Sequence, residues 1–163
     1  TVLERCADHL KRARAVNLFG IGASRLVAHD LAQKLMRVDK ECHLYDDWHD
    51  QLLCAKNMHE GDMAIAFSYS GLTQEVLDCT DEVQRHNCPV VAVTKVDGSS
   101  KLATMADAVL GVAASEPLVR SGAMASRMAQ LMVVDALYAA YVASDYERAT
   151  HVIKQNYIEK QER

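Results

Sequence analysis

Met63-Ala64-Ile65-Ala66-Phe67-Ser68-Tyr69-Ser70-Gly71-Leu72-Thr73-Gln74-Glu75 reads as a strand, a turn and the opening of a helix. The apolar run Met63–Phe67 predicts a buried strand, and helical spacing from about Thr73 to His86 predicts the helix after it. Between them, serine, tyrosine and threonine hydroxyls crowd around Gly71. Such a turn can seat a phosphate, because the first backbone N–H groups of a helix lack intrahelical partners and point outward. Serine and threonine hydroxyls add donors to that ring without adding charge.

The same alternation extends in both directions. Thr1 to Arg14 reads as a helix already under way, Val16–Phe19 as a short strand ended by Gly20, and Ala23–Arg37 as a helix. Cys42–Tyr45 is a weaker strand pattern, and Asp47–Met58 a short helix with Asp46 or Asp47 as N-cap. Pro89–Thr94 predicts a strand with its proline at the first position, where one is tolerated. A short helix to about Met105, a strand at Ala108–Leu110, a loop from Gly111 to Gly122, a long helix Ala123–Ala143 and a final helix from Tyr146 to Ile158 complete the pattern. Strands separated by helices need crossover connections, which predicts an α/β fold: a doubly wound, five-stranded parallel sheet with helices on both faces. In such sheets ligands bind outside the carboxyl ends of the strands. The Gly20–Ser24 and Ser68–Thr73 turns both fall there.

The composition narrows the function classes. The chain has 163 residues, 50% hydrophobic and 25% charged, which suits one globular domain covering 1–163. A formal net charge of -4 argues against this segment gripping nucleic acid by itself. The scattered cysteines Cys6, Cys42, Cys54, Cys79 and Cys88 form no C-x-x-C pair, which fits a reducing cytoplasm. No signal peptide and no bilayer-spanning apolar run is visible, so no membrane partner is expected. The chain opens at Thr1 without a methionine, and is expected to be a fragment of a longer protein.

The turn Gly20-Ile21-Gly22-Ala23-Ser24-Arg25 invites a dinucleotide reading, with Asp46 or Asp47 as the ribose ligand. Arg25 occupies the third glycine position, which needs a small residue for close packing. The other reading is that Gly20 and Gly22 let the backbone approach a smaller anion that Ser24 hydrogen-bonds. No P-loop signature occurs. His43, His49 and His59 are unevenly spaced for a metal, and no cysteine joins them at a zinc-like interval, so neither a metal nor another cofactor is expected.

The two turns together resemble the SIS (sugar isomerase) domain, whose signature is a G-x-G-x-S turn and an S-x-S-G-x-T-x-E turn. Ser68–Glu75 matches the second across its whole length. Asp47–Gln51, Gly61-Asp62, Glu116–Ala123 and Ser126–Leu131 are similar to RpiR-type bacterial transcriptional regulators, over about Ala15 to Tyr141. The resemblance implies a flavodoxin-like topology and a phosphate held by Ser24, Ser68, Ser70 and Thr73, with Gly22, Tyr69 and Gly71 in the same turns. It places an acidic residue, Glu116, near the sugar; His49, on a short helix near the end of the second strand, Glu75 and Arg120 are the other possible sugar contacts. Ordinary readings stand beside these: Glu75 favours the helix dipole, Glu116 and Arg120 form an i,i+4 surface pair, and His49 is a surface histidine.

The resemblance therefore implies the phosphosugar-sensing effector domain of a regulator, binding a phosphorylated sugar or sugar acid. DNA would be reached only through an N-terminal helix-turn-helix domain that this chain lacks. The resemblance also implies self-association as a homodimer or higher oligomer; the long helix with Met124, Met128 and Met132 is apolar nearly all round, which suits a subunit contact and a core helix of one monomer equally. A phosphosugar isomerase on the same fold is the alternative. It needs a base tuned by burial, for which Glu75 and Glu116 are the candidates.

Overall fold

The computed structural model describes residues 1–113, 115 and 122–160. Five strands, β1 (Val16–Gly20), β2 (Cys42–His43), β3 (Met63–Phe67), β4 (Val90–Thr94) and β5 (Ala108–Gly111), form one sheet in the order β2-β1-β3-β4-β5. Every pairing is parallel. The helices are α1 (Val2–Arg12), α2 (Ala23–Arg37), α3 (Trp48–Lys56), α4 (Gln74–Arg85), α5 (Lys101–Met105), α6 (Met124–Ser144) and α7 (Tyr146–Gln155).

Every residue of β1, β3 and β4 is buried, as a parallel sheet covered on both faces requires. Strand side chains alternate between faces, so these runs feed two cores. Leu18, Ile65, Phe67, Val91 and Val93 pack with Leu10 of α1, Leu31 and Leu35 of α2, and Val134 and Leu137 of α6. Phe19, Ala64, Ala66, Val90 and Ala92 pack with Ala55 of α3, Val76 and Val83 of α4, and Leu102 of α5. The expected doubly wound α/β fold is the observed one.

The chain steps from β1 outward to β2, then returns to the other side of β1 with β3. The strand order reverses between them, and Gly20 pairs with Phe67 at the carboxyl edge. The turns that follow β1 and β3 therefore leave the sheet side by side.

Several elements are shorter than the sequence pattern predicts. β2 stops at His43 rather than Tyr45 and pairs only with Val16 and Asn17. Gln51, 1% exposed on α3, takes over where β2 ends. Its Oε1 accepts from the Gly20 N–H at 3.0 Å, and its Nε2 donates to the Gly20 carbonyl at 3.0 Å and the Tyr45 carbonyl at 2.8 Å. One side-chain amide thus supplies β1 with the bonds a longer neighbour strand would give. Pro89 precedes β4, and its carbonyl still accepts from Ala64. α7 ends at Gln155, short of Ile158: only Ala149 on it is buried, and the chain beyond is tied by the C-cap Asn156, whose Nδ2 donates to the Arg37 carbonyl at 3.3 Å. α6 buries Ser126, Gln130, Val134, Leu137 and Tyr141 but leaves Met124, Met128 and Met132 at 62%, 60% and 72% exposure. The loop predicted from Gly111 to Gly122 falls largely outside the described residues.

Replacing Gln51 with leucine keeps the volume but orphans the Gly20 peptide. The expected loss is roughly 1–3 kcal/mol per unsatisfied buried group, read as a lower midpoint in urea denaturation; an unchanged midpoint would show that the amide is dispensable.

Candidate functional site

Local chemistry sets each part of the site. Gly22, the N-cap of α2, has φ 59° and ψ -129°, a backbone open in practice to glycine alone. With no side chain at the cap, the Ala23 and Ser24 amides have no acceptor among the described residues, while the Arg25 and Leu26 amides turn back to the Gly22 carbonyl at 3.1 and 3.4 Å. Ser24 Oγ donates to Gln130 Oε1 of α6 at 3.2 Å.

The second turn is built on its own hydroxyls. Ser68 is buried; its Oγ accepts from the Gly71 N–H at 3.1 Å and shares a 2.9 Å hydrogen bond with the Thr73 hydroxyl. Ser70 Oγ accepts from the Leu72 N–H at 3.2 Å. Thr73 is the N-cap of α4 but makes no capping bond with its side chain, so the Gln74 and Glu75 amides have no acceptor among the described residues. From behind, the Leu102 N–H donates to the Gly71 carbonyl at 3.0 Å, and Ser100 Oγ meets Thr94 Oγ1 at 2.8 Å. Gly71 has φ +69°, and a Cβ there would lie 1.8 Å from Ser100 Oγ.

α6 supplies the third wall. Its N-cap, Ala123, is left-handed (φ 53°, ψ 37°) and makes no side-chain cap. Ser126 Oγ donates to the Ala123 carbonyl at 3.3 Å. These starts enclose a cavity of about 180 Å³, lined by Ile21, Ala23 and Ser24 from the first turn, Tyr69, Ser70 and Thr73 from the second, and Ala123, Ser126 and Gln130 from α6.

Three helices of 15, 12 and 21 residues therefore begin at one small space with no side-chain cap from their N-cap residues. Each N-terminus carries roughly half a positive charge. Their sum, about +1.5, is close to the charge of about -1.5 to -2 on a phosphomonoester at pH 7. Among the described lining residues there is no carboxylate, histidine, lysine or arginine. The arrangement can hold an oxyanion on neutral donors.

The structure brings Ser24, Tyr69, Ser70 and Thr73 together at this cavity. Ser68 and Gly71 stand behind the second turn and shape it, and Gly22 forms the bend that opens α2. His49 is exposed near the start of α3, with its backbone N–H on Asp47 Oδ1 at 2.8 Å, and does not line the cavity. Glu75 lies in the first turn of α4, its carbonyl taken by Trp48 Nε1 at 3.2 Å, and is outside the lining as well. Glu116 and Arg120 lie outside the described residues. The sequence reading passed over Ala123, Ser126 and Gln130 as site residues. The available signal was a glutamine on a long helix with few polar residues.

The acidic residues of the dinucleotide reading are committed elsewhere. Asp46 accepts from His29 Nε2 and pairs with Arg25 Nη1, both at 2.9 Å, and the His29 bond followed by the Arg25 charge holds its carboxyl below the usual range. Asp47 caps α3. A larger depression of about 890 Å³ lies at the opposite end of the sheet, near Lys11, Lys40 and Arg148. Its lysines serve helix C-termini: Lys40 Nζ bonds the Ala13 carbonyl, and Lys11 Nζ the Ser144 carbonyl at 3.0 Å. Size alone is a poor guide here, because it is beside the smaller cavity that the Gln74 and Glu75 amides lack an acceptor among the described residues. Among the described residues no cluster of three His, Cys, Asp or Glu side chains could hold a metal, and no helix is long and apolar enough to cross a membrane.

The family described as SIS domain matches residues 9–140. The chain is 38% identical over 144 residues to an uncharacterized HTH-type transcriptional regulator of Caldanaerobacter subterraneus, a match covering 88% of this chain and 51% of that protein. The NanR protein of Vibrio vulnificus, solved in complex with ManNAc-6P, is similar in structure with a TM-score of 0.88 and 28% identity, over 94% of this chain and 58% of that one. The sugar isomerase domain of an RpiR transcription factor from Sphaerobacter thermophilus shares the fold at TM-score 0.83 and 23% identity, over 94% of this chain and 84% of that one. The chain spans about half the length of the curated relatives it matches.

Gly71→Ala forces both a left-handed backbone and a clash with Ser100. The expected cost is about 1–3 kcal/mol for the backbone alone, seen as a lower melting temperature, and a variant as stable as the parent would refute the packing described.

Proposed function

The chain belongs to the SIS domain family, and from that premise we propose that it is the phosphosugar-sensing part, a single domain over 1–163, of a cytoplasmic RpiR-type transcriptional regulator. The observation that carries this reading is the convergence of three helix N-termini, without side-chain caps among the described residues, on a cavity whose described lining holds hydroxyls and no charged side chain. The phosphoryl oxygens sit on Ser24, Ser70 and Thr73 and on the open amides of α2 and α4, with Ser68 keeping the second turn in shape. A volume of 180 Å³ equals about six water molecules' share of liquid volume. That is enough for a phosphoryl group and the carbon it hangs from. The sugar then projects outward, where His49, Glu75, Glu116 and Arg120 are the candidate contacts.

Similarity to HTH-type regulators supports the regulatory half of the reading, with DNA contacted by a domain outside this chain. Binding shifts such a regulator only through different affinities for its two states. The exposed methionines Met124, Met128 and Met132 lie four residues apart on one line of α6, and support self-association through that helix. The isomerase alternative needs a base at the sugar carbon, and among the described residues no carboxylate lines the cavity.

A thermal-shift panel of sugar phosphates tests the site. At a hundredfold excess over the dissociation constant, the matching ligand stabilises the fold by about 2.7 kcal/mol, and its unphosphorylated sugar does not. Ser70→Ala is expected to weaken that ligand by roughly 0.5–3 kcal/mol; indifference to the entire panel would sink the proposal. For self-association, Met128→Glu should lower the mass seen in sedimentation velocity to that of the monomer, and an unchanged mass would exclude α6 as the contact.

A further inference from the structure

Resting on the reading that the cavity holds a phosphoryl group, we propose that Gln130 is a direct ligand of that group. Its side-chain nitrogen donates to a phosphoryl oxygen, and the anion replaces the Ser24–Gln130 hydrogen bond as the link between α2 and α6. Gln130 is 1% exposed and lines the cavity about one turn beyond Ser126. Its Oε1 accepts from Ser24 Oγ at 3.2 Å, while its Nε2 makes no hydrogen bond among the described residues. That nitrogen belongs to a residue of the cavity wall, where its two unused donors can meet an acceptor that enters.

The comparison that gives this weight lies within the same chain. Gln51 is equally buried at 1% exposure, and both ends of its amide are bonded, to Gly20 and to Tyr45. A glutamine kept for structure is fully satisfied in this fold. Gln130 is satisfied at one end only, and the open end belongs to a residue of the cavity wall. The Ser24 hydroxyl can serve either end of an amide. The orientation with oxygen on Ser24 leaves the nitrogen to donate, which is the one that suits an anion in the cavity. On binding, the Ser24 hydroxyl rotates toward a phosphoryl oxygen, and Gln130 donates to the same group from the other side. One direct bond between α2 and α6 becomes a bridge through the ligand.

The test uses inorganic phosphate as the probe, titrated into the uniformly ¹⁵N-labelled protein and followed by NMR. In the wild type, the Gln130 side-chain amide signals should move along the same saturation curve as the backbone amides of Ser24 and Gln74. Signals that stay still while those backbone amides respond overturn the assignment without any variant. Gln130→Met, similar in volume, should weaken phosphate by about tenfold, the loss of a charge-assisted hydrogen bond. It should do so again in a Ser24→Ala background. If the loss disappears in that background, Gln130 acts only by positioning Ser24, and the proposal fails. Phosphate binding that Ser70→Ala weakens and Gln130→Met leaves intact overturns this assignment alone. No phosphate binding by the folded wild type overturns the phosphate site together with it.

Discussion

Everything at the site depends on the in-register parallel pairing of β1 with β3. Gly20 and Phe67 sit opposite each other at the last rung of that ladder, so the chain must leave the sheet at two adjacent points and at one height. Right-handed crossovers carry α2 and α4 to opposite faces, and their N-termini are forced to start beside each other. A slip of one residue would turn the side chains of a strand to the wrong core, because Leu18 and Phe19 serve different layers. The two hydrophobic cores thus lock the register, and the register aligns the turns. Gln51 secures the same rung from the other side, bonding both polar groups of Gly20 where β2 has already ended.

The molecule has two poles of opposite character. At the carboxyl edge of the sheet, α2, α4 and α6 begin without side-chain caps. At the other edge, carbonyls near the ends of α1 and α6 are met by Lys40 and Lys11. Helix termini of either sign need a partner. Where the chain supplies lysines, the end is closed and structural. Where it supplies glycine, alanine and a threonine whose hydroxyl is turned to Ser68, the end stays available.

The fold was legible because its determinants are local. Met63–Phe67 and Val90–Thr94 are apolar runs bounded by turn residues, and the octapeptide Ser68–Glu75 carries its own geometry in its glycine and hydroxyls. The roles of individual hydroxyls were less so. Ser68 and Ser70 look equivalent in sequence, yet Ser68 turns inward to the Gly71 N–H while Ser70 lines the cavity. That difference arises from Ser100 and Leu102, which brace the turn from a strand away. Gln130 was hidden for a similar reason: its partner, Ser24, lies more than a hundred residues earlier. Periodicity places a residue on a helix face but does not say which distant side chain it meets. The end of α7 was misjudged because amphipathic spacing continues past Gln155 where burial does not.

The absence of formal charge from the described walls of the cavity has a consequence for the setting in which the site works. Lysine and arginine clamps on open surfaces lose strength as salt rises, since mobile ions screen exposed charges over about 8 Å at physiological ionic strength. Dipoles and hydroxyls recessed in a small cavity are screened far less. An oxyanion held by such groups keeps its affinity as the surrounding electrolyte changes, because geometry and not exposed charge sets it.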